Sequence, residues 1–444
     1  MHRAFQILCS LALITPGVVR AQVLTTVEFS FSNPGARSMG FGGAFVALAD
    51  DATAAFANPA GLVQLARPEV SAEMRHWRYS TPYTRGGRAS GVPTGLGIDT
   101  VSHPLPGESN VDLTGLSFLS FVLPKGNWSF AGSQHQLMNF EMNQEIQGVF
   151  TPEPVGGAVS DRGPVSGSFR GPIELAFFDF EISSRSLSVS YRANDRLSLG
   201  LGLSHFDTDV SFGGRDFLPD EDTDESYFEA ASFLPPRLLH TVRADSRGSD
   251  WGLAAGFLSP LTARWTLGAV YREGPEVELH GGLTAGPVEP DLPAGTRVDL
   301  GSGTWGFPDV YGLGLSYRSR DGHWTAAFEW DRVEYSTIEE TLATAGLSEA
   351  NILLDGDEFH LGGEYAFFVS AAVWAVRLGA WHDPDHRVRS KSSEAFGRAE
   401  LQPGEDELHF AAGLGVVLDE FQIDLGFDLS QARDTASLSA IYSF

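Results

Sequence analysis

The chain has 444 residues, of which 42% are hydrophobic and 11% aromatic. With a mean hydropathy of −0.08, this apolar content exceeds that of a disordered chain. The formal charge is −27, from 57 acidic and 30 basic residues, so nucleic acid is excluded as an expected partner because its phosphates would be repelled. After the first two dozen residues, no stretch approaches the roughly 18 consecutive apolar residues of a transmembrane helix.

Residues 1–21 have the layout of a secretory signal peptide. His2 and Arg3 form a short basic start, residues 4–14 are apolar, and Ala21 ends a segment suited to cleavage. We predict that the mature chain starts after Ala21 and is exported. The only cysteine, Cys9, lies in this segment, so the mature protein is expected to lack disulfides, thiolate metal sites and cysteine nucleophiles.

Alternation of apolar and polar residues dominates the chain from residue 69 to the end. In residues 197–204 leucine alternates with serine and glycine, and in residues 421–430 apolar side chains alternate with polar residues and glycine. Such strands suit a soluble sandwich as well as an outer-membrane barrel. The connections favour the barrel, because short ones such as residues 124–126 alternate with long ones such as residues 141–173.

We count fourteen candidate strands, and an even number places both termini on the periplasmic side. They span residues 69–80, 112–123, 127–140, 174–192, 196–212, 249–259, 264–280, 309–318, 323–335, 357–368, 373–383, 406–418, 421–430 and 435–444. The predicted fold class is all-β: a 14-stranded antiparallel transmembrane β-barrel over residues 68–444. We expect it in the outer membrane of a Gram-negative-type bacterium.

The last predicted strand adds an independent indication. Tyr442 and Phe444 share its apolar face, and the chain ends on an aromatic residue. This ending resembles the carboxyl-terminal signal of outer-membrane proteins, which implies recognition by the barrel-assembly machinery.

Residues 22–67 do not alternate and predict a compact hatch, or plug, with short helices. Glycines permit close backbone contacts, the Asp50-Asp51 pair can cap a short helix, and Asn58-Pro59 can end it. A nucleotide-binding loop is not favoured because the glycine spacing differs from GxGxxG and no strand precedes it. The hatch residues singled out are Gly40, Gly42, Gly43, Asp50, Asp51, Asn58, Pro59 and Ala60.

The run GARSMGFGGAFVALADDATAAFANPAGL resembles the hatch of the FadL/TodX family of outer-membrane transporters for hydrophobic compounds. Later segments, including residues 251–272 and 308–318, are similar to barrel hairpins of that family. The hatch run is also similar to PorV-like barrels of secretion systems. A non-transporting scaffold for secretion or surface attachment is therefore the alternative function.

The resemblance implies uptake of long-chain fatty acids or similar hydrophobic small molecules by diffusion, without catalysis or cofactor. It also implies lateral release through a kinked third strand into the outer-membrane lipid. This route would bypass the polar lipopolysaccharide layer. The protein is expected to be a monomer. In residues 127–140, the candidates for interrupting the strand ladder are Gly132, Gln134 and Asn139. No Ser/His/acid set has motif support, so an outer-membrane lipase or protease is not expected.

Two predicted outer loops, residues 213–248 and 281–308, are unusually apolar for exposed segments. The resemblance implies that they form a groove that captures the substrate. A self-packed loop minicore is the alternative, because long loops bury their own side chains. The candidate capture residues are Phe217, Phe228, Phe233, Leu234, Leu238, Leu283, Trp305 and Phe307.

Charged residues provide three further hypotheses, and no metal is expected in any of them. Residues 220–225 have calcium-like acidic spacing but lack the EF-hand glycine, so a solvated loop is favoured. His382 and His386 flank a proline and fit an ordinary loop exit better than a metal pair. Strand alternation places a set of charges in the lumen, where they would form ion pairs that fix the hatch, or Arg37 or Arg377 would meet a substrate carboxylate. That set comprises Arg37 in the hatch and Glu329, Asp331, Glu364, Arg377, Asp424 and Asp428 in the barrel.

Overall fold

The structure is a computed structural model. It describes residues 32–95, 99–151, 169–171, 173–217, 233, 237–285, 297–338, 351–386, 389–390 and 404–444. The predicted signal peptide, the start of the hatch and the acidic segment 220–225 lie outside the described residues. No helix among those described is long and apolar enough to cross a membrane.

Twenty strands lie in the described part of the chain. They are β1 (Glu69–Arg88), β2 (Pro104–Lys125), β3 (Trp128–Ile146), β4 (Val149–Thr151), β5 (Phe169–Arg170), β6 (Ile173–Asn194), β7 (Leu197–Phe217), β8 (Leu238–Pro260), β9 (Trp265–Arg272), β10 (Glu276–Ala285), β11 (Arg297–Gly306), β12 (Val310–Arg318), β13 (Trp324–Val333), β14 (Asn351–Ile352), β15 (Gly356–Val369), β16 (Ala372–Asp383), β17 (Arg389–Ser390), β18 (Glu407–Leu418), β19 (Phe421–Leu429) and β20 (Arg433–Ser443).

Fourteen of these strands form a closed antiparallel barrel, which confirms the predicted fold class. Their order around the barrel is β1, β2, β3, β6, β7, β8, β9, β12, β13, β15, β16, β18, β19 and β20. The last strand pairs back to the first, from Glu69 opposite Ser443 to Tyr79 opposite Arg433. Strands β10 and β11 extend the spans of β9 and β12, and β14 pairs with β17 in a separate sheet.

The alternating sequence places small polar residues inside the barrel and large apolar ones outside. On β6, Leu187 is 72% exposed while its neighbours Ser186 and Ser188 are buried. On β7, Leu201 is 62% exposed. An apolar outer face and a polar inner face are the arrangement expected for a barrel in lipid.

The strands extend further than the sequence predicts. The seventh predicted strand, residues 264–280, breaks into β9 and β10 at Gly274-Pro275, because proline cannot donate to a strand ladder. Phe217, Leu238, Leu283 and Trp305 lie in strands β7, β8, β10 and β11, so their assignment to loops is wrong.

The hatch lies inside the barrel and consists of helix α1 (Ala36–Gly40), helix α2 (Ala54–Ala57) and a 3-10 helix (Pro59–Gln64). Its apolar residues from Phe41 to Leu48 are almost fully buried. Wall glycines admit this backbone: a Cβ at Gly200 would lie 2.2 Å from Ala60 N, and one at Gly362 would lie 2.2 Å from Phe41 O. The hatch therefore packs backbone to backbone against the wall.

Candidate functional site: the hatch, the lumen and the opening in the wall

A continuous chain of ion pairs, which we call the charged seam, joins the hatch to the barrel wall. It consists of Asp50, Arg37, Glu364, Arg377 and Asp424. Arg37 contacts Asp50 Oδ1 at 2.5 Å and Glu364 Oε2 at 3.6 Å. Arg377 donates to Glu364 Oε2 and to Asp424 Oδ1, each at 2.7 Å. Both candidate arginines thus have protein carboxylates as partners.

The two adjacent hatch aspartates have different electrostatic environments. Burial alone would raise the pKa of Asp50, but Arg37 and Arg318 hold this pKa below its ordinary value. Burial raises the pKa of Asp51, and repulsion from Asp50 adds to the shift while Arg37 opposes it. Asp51 Oδ1 accepts hydrogen bonds from Thr53 N at 2.9 Å and Thr53 Oγ1 at 2.5 Å, so it supports the turn before α2.

Backbone groups of the hatch also bind wall side chains. Glu329 on β13 accepts hydrogen bonds from Phe45 N at 2.7 Å and Val46 N at 2.6 Å. Asn58 Nδ2 donates to Val46 O at 2.9 Å and to Phe257 O on β8 at 3.1 Å. Its Oδ1 accepts from Ala60 N, which starts the 3-10 helix at Pro59. The Asn-Pro-Ala motif therefore connects two hatch segments to the wall.

Three hatch glycines lie where the backbone conformation or the neighbouring atoms leave no room for a side chain. Gly42 and Gly43 have φ values of 62° and 83°, a region that favours glycine. A Cβ at Gly42 would lie 2.8 Å from Ala380 N, and one at Gly43 would lie 2.8 Å from His360 Nδ1. A Cβ at Gly40 would lie 3.3 Å from the Arg377 side chain.

The boundary between β2 and β3, which we call the β2–β3 seam, is only partly paired. The β2–β3 ladder runs from Lys125 opposite Trp128 to Phe118 opposite His135 and then stops. Residues 104–117 of β2 continue beside β1, while residues 136–146 of β3 continue almost wholly beside β6. The two strands thus cease to pair beyond His135. We call this unpaired stretch of the wall the opening; a hydrogen bond from Asn143 N to Ser109 Oγ at 2.8 Å still crosses it.

The separation coincides with a bulge in β3 between Gln136 and Met138. Residues 129, 131 and 135 are buried before the bulge, and residues 138, 140 and 142 are buried after it, so the inserted residue exchanges the two faces. Gly132 and Gln134 remain paired with both neighbouring strands, and the prediction that they interrupt the ladder is wrong. Asn139 lies beyond the end of the ladder, where its backbone oxygen accepts from Tyr79.

The hatch reaches the point where the strands separate. The ring of Phe56 in α2 lies 4.5 Å from that of His135, which is only 2% exposed. Above this contact, inward side chains of β3 and β6 form an apolar cluster with inward side chains of β1, β10, β12 and β13. Its largest members include Tyr79, Met138, Phe140, Phe178, Phe180 and Phe307.

A small, mainly apolar cavity of about 50 Å³ lies between this cluster and α2. Its lining includes Phe56, Leu137 at the bulge, Phe206, Phe307 and Arg272. Arg272 is 8% exposed, donates to Ala57 O at 3.1 Å and lies over the Phe56 ring at 5.2 Å. No carboxylate of the described residues lies within ion-pair distance of Arg272, which interacts only at longer range with the buried Glu329. The apolar cavity therefore contains a buried cation without a direct carboxylate partner.

The candidate capture residues are distributed between two environments. Phe307 is buried in the apolar cluster and stacks on Phe180 at 6.2 Å, and Trp305 packs against the same ring at 5.9 Å. Phe217 is 3% exposed and contacts Phe233 at 5.5 Å, while Leu238 is partly buried. Phe228 and Leu234 lie outside the described residues, as does the side chain of Leu283.

The remaining candidates occupy ordinary contacts. His386 Nδ1 lies 3.3 Å from Asp383 and its ring stacks on Tyr335, whereas His382 Nε2 lies 3.3 Å from Asp406. At the end of β20, Tyr442 packs against Phe421 at 4.7 Å, and Phe444 packs against Phe121 at 6.4 Å on the outer face. Their role in assembly stays a prediction.

Sequence reasoning did not single out Arg272, His135 or His360. Arg272 is inward-facing in a strand that looks ordinary, and its lack of a carboxylate partner depends on which strands surround it. Alternation places such residues on the inner face but does not identify their neighbours.

Comparison with known proteins completes these observations. The sequence model of the outer membrane protein transport protein family (OMPP1/FadL/TodX) matches residues 179–439, more than half of the chain. The chain belongs to this family. It is an outer-membrane β-barrel of a family of hydrophobic-compound channels, which are not enzymes. The predicted family relationship is confirmed, and it favours a transporter over a secretion scaffold.

Solved structures show the same fold. A Pseudomonas aeruginosa FadL homologue has 16% identity and a TM-score of 0.62, with 95% of this chain and 99% of that chain covered. The toluene transporter TodX of P. putida has 16% identity and a TM-score of 0.57, with 94% and 99% covered. The toluene transporter TbuX of Ralstonia pickettii has 14% identity and a TM-score of 0.54, also with 94% and 99% covered. No curated protein sequence matches the chain.

Proposed function

We propose that this family member takes up long-chain fatty acids or similar amphipathic carboxylates from outside the cell. The ligand diffuses into the lumen, enters at the small apolar cavity above α2 as the surrounding side chains move apart, and leaves sideways into the membrane between β2 and β3. Both chain termini lie on the periplasmic side in this proposal, consistent with the even number of spans.

The observation that carries the choice of ligand is Arg272. A buried guanidinium without a direct carboxylate partner is costly in an apolar cavity, and a ligand carboxylate can accept two parallel hydrogen bonds from it. The neighbouring surfaces of Phe206 and Phe307 suit an alkyl tail. A neutral aromatic hydrocarbon would suit the apolar lining but would leave Arg272 without a direct carboxylate partner.

Lateral release is supported by the unpaired part of the β2–β3 seam. Leu137, the residue at the bulge, lines the apolar cavity, so the cavity and the opening adjoin. A hydrophobic ligand that moves from the cavity into the bilayer avoids transfer through water. The polar lipopolysaccharide layer is also bypassed by this route.

Replacement of Arg272 by methionine tests the proposal. We expect Arg272→Met to weaken binding of a long-chain fatty acid by about tenfold or more, because a charge-assisted hydrogen bond contributes about 1.5–3 kcal/mol. Binding of toluene, which has no charge, should be unchanged. Arg272→Lys should lie between the two because lysine keeps the charge but not the paired donors.

The measurements are equilibrium binding to the purified protein and uptake by cells that express each variant. Arg332→Met is the matched control, because Arg332 is paired with Asp355 and Asp357 away from the cavity. Equal fatty-acid affinity in wild type and Arg272→Met would contradict the assignment. Tighter binding of toluene than of fatty acid by the wild type would instead favour a neutral aromatic substrate.

A further inference from the structure

A second group of lumen residues has the chemistry of a metal site. Asp331 on β13 and Glu358 on β15 are opposite one another in the ladder, and His360 lies two residues along β15. One potential ligand atom from each lies within 4.8 Å of the other two. We call Asp331, Glu358 and His360 the histidine–carboxylate cluster; it borders a small cavity of about 40 Å³ on the hatch side.

The orientation of His360 is fixed by the hatch. Its Nδ1 lies 2.7 Å from Gly42 O, and since a carbonyl only accepts, Nδ1 carries the hydrogen. Nε2 lies 3.3 Å from Glu358 Oε2 and 4.0 Å from Asp331 Oδ2. It donates to Glu358 when protonated, and once deprotonated it can direct its lone pair to an ion held between these carboxylates. A bond from the other ring nitrogen to a backbone carbonyl is the usual arrangement that orients a metal-binding histidine.

An independent observation comes from the unused acceptor atoms. Asp331 is 5% exposed, and its Oδ1 has no hydrogen-bond partner among the described residues. Glu329, two residues earlier on the same face, is 1% exposed and leaves Oε1 without a partner in the same part of the chain. Buried carboxylate oxygens without donors are costly, so a cation among these groups would relieve the cost.

We propose that the histidine–carboxylate cluster binds one divalent transition-metal ion of the zinc type. One imidazole nitrogen and two carboxylate oxygens form a donor set suited to Zn²⁺, whereas Ca²⁺ and Mg²⁺ prefer oxygen ligands alone. Small side-chain movements would bring each of the three ligand atoms to the roughly 2.0–2.2 Å from the ion that zinc coordination requires. The adjoining cavity supplies room for water at a fourth position.

The site has a structural consequence for the hatch. Because His360 holds Gly42 O through its other nitrogen, a bound ion fixes the ring and with it the turn at Gly42 and Gly43. The ion therefore fastens the hatch to β15 at a place separate from the charged seam. The inference does not depend on which substrate the protein carries.

Metal binding by the purified full-length mature protein in detergent tests this proposal. After treatment with a chelator, the protein is dialysed against Zn²⁺ or Co²⁺, and the bound metal is measured by elemental analysis. We expect one equivalent of either ion, and visible Co²⁺ absorption bands typical of mixed nitrogen and oxygen ligands. Protease protection of the hatch should increase when Zn²⁺ is added.

Two variants and one control localise the ion. His360→Gln and Asp331→Asn should each weaken Zn²⁺ binding by more than about 100-fold, since loss of outer partners alone costs 10–100-fold. His382→Gln, which changes a histidine at the edge of the barrel, should bind as the wild type does. Heat-modifiable migration in electrophoresis checks that every barrel is folded.

Two results would overturn the proposal. One is failure of the folded wild-type protein to bind Zn²⁺ or Co²⁺ in a stoichiometric amount. The other is undiminished binding in folded Asp331→Asn and His360→Gln. Either result would make the cluster a protonated hydrogen-bond network, while fatty-acid binding at Arg272 would be unaffected and would still test the proposed function separately.

Discussion

The two sides of the barrel hold the hatch in opposite ways. From β13 to β20 the ladders are regular, and Arg377, Glu364 and Asp424 tie the wall to Arg37 of the hatch. At β2 and β3 the ladder stops at His135, and the hatch meets the wall mainly through apolar packing that includes the Phe56 ring, with one hydrogen bond from Ser120 Oγ to Ala52 O. One side is closed and charged, whereas the other is open and mainly apolar.

Charged contacts and apolar contacts therefore have different roles in holding the hatch. Charge-assisted hydrogen bonds are directional and keep the hatch in one position. Apolar contacts are not directional, so Phe56 and the cluster around Phe140 can rearrange around a hydrophobic ligand. In the proposed route, a fixed hatch beside the opening would let a ligand leave through the wall without displacing the hatch.

Closing the open side should have the largest effect. A Cβ at Gly115 would lie 3.0 Å from Gln136 Oε1 across the unpaired seam, so Gly115→Cys and Gln136→Cys can be joined by a short cross-linker that forms reducible disulfides with both thiols. We expect cross-linking to reduce the uptake rate by a factor of about ten or more, because the proposed exit step between β2 and β3 is blocked. Cellular uptake of labelled fatty acid before and after reduction measures this loss.

A matched pair is available in the paired part of the same seam. Leu123 and Phe130 are opposite one another in the β2–β3 ladder and both face outward, so joining cysteines at these positions should leave uptake unchanged. The only natural cysteine, Cys9, lies in the predicted signal peptide. Undiminished uptake by a fully cross-linked 115–136 pair would argue against lateral release.

Breaking the charged side should release the hatch while leaving the barrel closed. Arg377→Met leaves Glu364 and Asp424 buried without their shared cation, which costs about 3–5 kcal/mol. We expect faster protease cleavage of the hatch and a lower unfolding temperature in detergent. Arg332→Met, which removes a partly exposed arginine, should cost no more than about 1 kcal/mol.

Neutralising both acids provides the converse of that experiment. Adding Glu364→Gln and Asp424→Asn to Arg377→Met removes the uncompensated charges, so part of the lost stability should return. If Arg377→Met leaves the hatch as protected as in the wild type, the charged seam does not hold it.

The smallest expected effect distinguishes Asp50 from Asp51. The pKa of Asp50 is lower in the folded protein than in the unfolded chain. Its ionised form therefore stabilises the folded protein above the ordinary pKa of about 3.9, and this stabilisation is lost as the pH falls through the lower pKa of the folded protein. Asp50→Asn should therefore cost about 1.5–3 kcal/mol at neutral pH. Hatch protection measured by hydrogen exchange should fall in this variant.

Asp51 should behave with the opposite sign. Its pKa is raised in the folded protein, so folding favours the protonated carboxyl and ionisation at neutral pH opposes hatch packing. Asp51→Asn keeps an oxygen that can accept from Thr53, and it should leave hatch protection equal to or above that of the wild type at neutral pH. A loss as large as in Asp50→Asn would contradict the assigned environments.

Local sequence patterns were sufficient for much of the architecture. Alternation and connection lengths predicted the fourteen spans and the inward direction of residues such as Glu329 and Arg377, because neighbouring side chains in a strand face opposite sides. The same patterns failed at β3, since the bulge at Leu137 exchanges the faces within one apparent strand. They also failed beyond the membrane spans, where β7, β8, β10 and β11 continue into predicted loops.

The sequence by itself determined that the chain is a barrel with an irregular glycine-rich hatch, because periodicity and turn composition are local properties. Only the tertiary structure decided that the β2–β3 ladder ends at His135, that Arg272 lacks a carboxylate partner, and that Asp331 meets Glu358 and His360. These features depend on strand register and on contacts between residues distant in the chain. A residue's own sequence neighbourhood specifies the face it occupies, but pairing across the barrel specifies which groups it meets there.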